Sequence, residues 1–133
     1  MAALRYGFAR RIDNADFDTV MTRTVEALKA EGFGVLTEID VKATLKKKLD
    51  AEFRRYVILG ACNPTLAHQA LSAEPQLGLL LPCNVVVQDG VDGGVVVSVI
   101  DPQAMFAVVD NAAMAPVAAE VAARLQRVLA AVG

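Results

Sequence analysis

The stretch from Glu52 to Cys62, with the two residues after it, constrains the fold more than any other. It predicts a strand and starts a helix in the same breath. Tyr56, Ile58, Gly60 and Cys62 share one face of the strand; Val57, Leu59 and Ala61 share the other. Both faces become apolar toward Cys62, so that end must be covered on both sides. Asn63 is then placed to cap a helix, and Pro64 takes the first helical position, where its missing N–H costs nothing. Leu66, Ala67, Ala70 and Leu71 form the inner stripe of that helix, which ends near Ala73 because Glu74-Pro75 stops it.

The rest of the chain supplies neighbours for this strand. Leu4, Tyr6 and Phe8 alternate with Arg5, Gly7 and Ala9, the pattern of a strand with one buried face. Asp13-Asn14 offers a cap for an amphipathic helix carrying Phe17, Val20, Met21, Thr24, Val25 and Leu28, which Gly32 ends. Gly34 to Ile39 reads as a strand with Val35 and Ile39 on one face and Leu36 on the other. Asp40 caps a short helix with Val41, Leu45 and Leu49 every four residues and a solvated outer face of Lys42, Lys46, Lys47 and Lys48. Gly78 to Pro82 has too few polar groups for an exposed loop. Cys83 to Gln88 and Val95 to Ile100 form a valine-rich hairpin around Asp89 to Gly94. Asp101-Pro102 opens a turn of helix through Met105 and Phe106. Pro116 opens a last helix with Val117, Val121, Leu125, Val128 and Val132 on one stripe.

Five strands with a long helix after the first and another after the last predict an α+β fold: an antiparallel five-stranded sheet with helices mainly on one face. The 133 residues are expected to form a single domain, 1–133. Apolar residues make up 55%, above the usual range of about 45–50%. Pro, Gly, Asn and Gln interrupt the long uncharged stretches, so no membrane span is expected. The excess instead predicts a second covered face, most simply a homo-oligomeric contact in a dimer. Met1-Ala2-Ala3-Leu4-Arg5 does not read as a signal peptide, and two cysteines without a leader predict free thiols in the cytoplasm. Between Tyr56 and Ala123 there is no Lys or Arg, against Glu74, Asp89, Asp92, Asp101, Asp110 and Glu120. Phosphate backbones require clustered cations, so no nucleic-acid partner is expected there.

Several runs together resemble the family called domain of unknown function 302. They are Tyr56 to Pro64, Leu66-Ala67, and Leu79-Leu80-Leu81-Pro82-Cys83-Asn84-Val85. Gly32-Phe33-Gly34-Val35 before Glu38-Ile39-Asp40, and Asp101-Pro102 with Met105, also fit its pattern. The resemblance implies a compact α+β fold related to TATA-binding-protein-like sheets, often a dimer, and no established activity.

Chemistry concentrates around the two Cys-Asn pairs, Cys62-Asn63 and Cys83-Asn84. Cys62 lies one residue before a helix cap, where N–H groups and the helix dipole favour a thiolate. One reading is therefore a thiol-dependent enzyme or redox sensor using Cys62 with Cys83 as partner. The other is two small buried residues beside a pocket, since free cysteine is among the most buried residue types. The spacing is not that of a close Cys-x-x-Cys redox pair. His68 lies about 200° around the helix from Leu66 and so points to the surface. Two Cys and one His fall short of the four ligands of a structural zinc site, so no metal or other cofactor is expected. Asn84 has no capping duty and must bond either the backbone near Cys62 or a ligand. The connection from Asn63 to Pro82 is one helix and a return, which brings Cys62 and Cys83 together without a disulfide. The favoured function is a dimeric binding or interaction module with a small-molecule pocket lined by Cys62, Asn63, Cys83 and Asn84.

Overall fold

The computed structural model describes residues 2–133, with nothing said of the side chains of the first three. Six strands form one antiparallel sheet in the order β1-β2-β6-β5-β4-β3. They are β1 (Ala2–Ala3), β2 (Gly7–Ile12), β3 (Gly34–Asp40), β4 (Tyr56–Cys62), β5 (Cys83–Asp89) and β6 (Val95–Ile100). The helices are α1 (Phe17–Ala30), α2 (Val41–Leu49), α3 (Pro64–Ala73), α4 (Pro102–Phe106) and α5 (Met114–Ala131). The α+β class and the five antiparallel strands are as the patterning predicts; β1 adds a two-residue ladder at the edge.

The core lies between one face of the sheet and the helices α1 and α5. Val57, Leu59 and Ala61 of β4 face it with Val85 and Val87 of β5 and Val95, Val97 and Val99 of β6. Against them pack Phe17, Val20 and Leu28 of α1 and Leu125, Val128 and Leu129 of α5, all buried. Period two on the strands and three-and-four spacing on the helices bring these sets into one layer. Arg10 crosses from β2 to the far end of α5, where its guanidinium donates to the carbonyls of Leu129 and Ala130 at 3.1 and 2.7 Å. Those carbonyls belong to the last turn, which has no intrahelical donors left.

The ends of the elements carry several corrections. Leu4 and Tyr6 do not share a buried face with Phe8. The Leu4 amide donates to the Gly7 carbonyl in a turn, leaving Leu4 44% and Tyr6 66% exposed. The β4 strand begins at Tyr56 rather than Glu52. Helix α1 is capped by Asp16, whose carboxylate accepts from the Thr19 amide at 2.8 Å; Asp13 is instead paired with Arg11. Hydrogen bonding from Thr19, its side chain first and then its amide, holds the Asp16 carboxyl below its usual range. At the other end Gly32 takes φ +85°, and the amides of Gly32 and Phe33 donate to Lys29 and Leu28. This crossed pair of bonds is the Schellman closure that a C′ glycine permits.

On β3 a bulge between Val35 and Thr37 breaks the predicted parity. Val35 opposes the core-facing Ala61, whereas Ile39 opposes Ile58 on the other face. One extra residue is enough to send every later side chain across the sheet. Asp40 caps α2 as expected, accepting from the Ala43 amide at 2.9 Å, yet no residue of α2 is buried. The Pro75–Leu80 stretch is a 3-10 helix that buries Leu77 but leaves Leu79 84% exposed, against the expectation for this connector.

Candidate functional site

The site forms where β4 and β5 end and the chain turns into α3. Ala61 of β4 is opposite Cys83 of β5, which puts Cys62 one residue off the pair. Their Cα atoms are therefore about 6 Å apart, from the strand spacing and one residue of rise. Both thiols are free. Asn63 leaves the strand with extended backbone and caps α3, its Oδ1 accepting from the Leu66 amide at 3.1 Å. Pro64 follows at the first helical position.

The two faces of this strand end are closed differently. On the open face Gly60 is buried with no side chain of its own. A Cβ there would stand 2.8 Å from the Pro82 ring and collide with the Thr37 hydroxyl. Glycine in mid-strand thus marks a close approach of β3 and the turn before β5. Past this close approach the end of the sheet is not filled. A cavity of about 320 Å³ lies there between β4, α3, the Pro75–Leu80 turn and the start of α5.

Ala61, Cys62, Asn63 and Cys83 form its sheet side. Leu66, Ala67, Ala70 and Leu71 form its α3 side, the stripe read from the sequence. Phe33, Leu36, Leu81, Pro82, Phe106, Val117 and Val121 complete most of the wall. No Lys, Arg, Asp, Glu or His lines it. This size is at the lower end of small-ligand sites, and the wall is more apolar than most.

Of the four residues expected to converge, three do. Cys62, Asn63 and Cys83 border the cavity; Asn84 does not. It pairs with Gly60 on the open face of the sheet and is exposed. Neighbouring residues of a strand point oppositely, so Cys83 facing the core sends Asn84 away from it. His68 is exposed on the outer side of α3. Among the described residues no three His, Cys, Asp or Glu side chains group where a metal ion would be held.

The thiols differ in surroundings. Cys83 is 6% exposed, and burial, with the neighbouring Cys62 adding to it, pushes its thiol up to about 11. It stays protonated at neutral pH and acts as a small apolar wall residue. Cys62 is only half-buried and is the accessible thiol of the pair. Phe106, Val117 and Val121 are among the contributors the sequence did not mark as site residues. Their signal was only that of core: a helix start at Asp101-Pro102 and an apolar stripe on the last helix.

Among the described residues no helix is long and apolar enough to cross a membrane. Residues 8–132 match the family described as Domain of unknown function DUF302. The chain is also similar to the crystal structure of an uncharacterized conserved protein DUF302 from Bacillus stearothermophilus. That likeness has a TM-score of 0.88 and 28% identity, and covers 96% of this chain and 98% of the other. No curated protein matches.

Proposed function

The chain belongs to the family of domain of unknown function DUF302, and from its own geometry we propose that it is a binding module for a small, uncharged, apolar ligand held at the end of the sheet. The carrying observation is the cavity itself: about 320 Å³, walled by Leu, Ala, Val, Phe and two thiols, with no ionisable side chain except those thiols. An apolar cavity of about 150 Å³ takes one benzene, so this one has room for on the order of a dozen carbon atoms. Burial of apolar surface supplies the affinity, and Asn63 and Cys62 provide the few polar atoms beside it. The thiol-enzyme reading is less well supported. Cys83, with its thiol pushed up to about 11, does not provide the second thiolate such a mechanism would draw on.

The open face of the sheet supports a second part of the proposal, a homodimer. Ile58, Val86, Val96 and Ile100 are half-buried on or beside that face without a helix layer over them. A second copy would remove this apolar surface from water.

Ala67→Trp tests the ligand site, because Ala67 is half-buried on the cavity wall and an indole there fills the space. Titration with 1-naphthylamine, an uncharged probe whose emission shifts in apolar surroundings, should show saturable binding to the native chain, displaced by octanol. The Ala67→Trp chain, folded by circular dichroism, should lose most of it. Equal binding by both proteins would place the probe elsewhere and remove the proposal.

A further inference from the structure

A second cavity, of about 330 Å³, lies beyond the first, bordered by Gln103, Asp110, Asn111 and Met114 among others. Of the residues bordering the two cavities one is common to both walls, Phe106. The ring is 6% exposed and belongs to the small core cluster of Ala70, Leu77, Met114 and Ala118. It sits at the last position of α4, a five-residue helix, immediately before the 3-10 turn Ala107–Val109 and Asp110, whose φ is +53°. Phe106 is thus common to both walls. The first cavity is apolar apart from Asn63 and the two thiols; the second ends among amide and carboxylate groups at the surface.

We infer that Phe106 is the length gauge of the binding site, limiting an uncharged single-chain ligand to the first cavity. This rests on the proposed binding of apolar ligands there and adds what sets their size. Position carries the inference: Phe106 borders both cavities, and its buried side chain clusters with Ala70 of the first wall and with Met114 and Ala118 of the second. Shortening that side chain leaves the Leu66–Ala67 side and the sheet end of the first cavity unchanged. A longer chain would then gain contact area at its far end only.

Isothermal titration with dodecanol and tetradecanol tests this on the native chain, Phe106→Ala and Phe106→Leu. In the native chain tetradecanol should bind little more tightly than dodecanol. In Phe106→Ala the preference for tetradecanol should rise by about tenfold, since each further buried methylene adds to affinity. Phe106→Leu should give a smaller rise in the same direction, and it decides the matter if circular dichroism shows that the alanine variant does not fold. The same chain-length preference in all three proteins overturns the gauge while leaving the site in place. Failure of the native chain to bind either alcohol overturns the apolar-ligand reading and the gauge with it.

Discussion

Cys83 shows how much one residue's surroundings decide. Its thiol ordinarily ionises near 9.0, and burial against the end of the sheet raises this to about 11. The fold therefore favours the protonated thiol. The resulting stabilisation is fully present below about pH 9 and is lost as pH rises from there through about 11, since unfolding releases a proton in that window. A shift of this size corresponds to about 2–3 kcal/mol. Urea titrations of the native chain and Cys83→Ala at pH 8 and pH 11 should show the native chain losing about 2 kcal/mol more over that interval. Every other side chain is common to both proteins, so the comparison isolates the thiol. Parallel losses would mean that the thiol ionises freely in the fold. At this scale the sequence was readable in type but not always in direction. That Cys62, Asn63 and Cys83 border one cavity followed from one helix and a return. Asn84 was misplaced because two successive residues of a strand were assigned to one side of it.

At the scale of elements, the junction of β4 and α3 holds the site in place. Asn63 is buried, its Oδ1 accepts from the Leu66 amide, and its carbonyl accepts from Ala67 at 2.8 Å. Asn63→Ala should cost about 1 kcal/mol in thermal or denaturant unfolding, and Asn63→Gly only a few tenths, because glycine retains the cap geometry without the side-chain bond. Equal losses would assign the effect to packing against the cavity rather than to the cap. This junction, the two valine strands and α5 were legible because period, cap and proline agree there. The start of the first strand was not: Leu4-Arg5-Tyr6 has the alternation of a strand, but the Leu4–Gly7 turn takes it out of the sheet. The α1 start was displaced because Asp13 and Asp16 are equivalent as caps until Arg11 occupies the first. The bulge at Leu36 leaves no mark in residue type. It follows from the register against Gly60 and Ala61, which only the assembled sheet defines.

For the whole molecule, the helices lie mainly on one side of the sheet and an apolar face is left on the other. Sedimentation at micromolar concentration should give about twice the 14.1 kDa of the chain, and Val86→Glu with Val96→Glu should return it to the monomer mass. A single species at 14.1 kDa for the native chain would count against the dimer. The strand order has a separate consequence. Strands β3 to β6 are paired in chain order, but β2, apart from its two-residue ladder with β1, pairs with β6, with Phe8 against Val99 and Ile12 against Val95. Arg10 of the same strand reaches still further, to the carbonyls of Leu129 and Ala130. During synthesis β2 thus emerges well before the strand it pairs with. Its ladder to β6 closes across residues 13–94, about eighty residues, a non-local contact of the kind that slows folding.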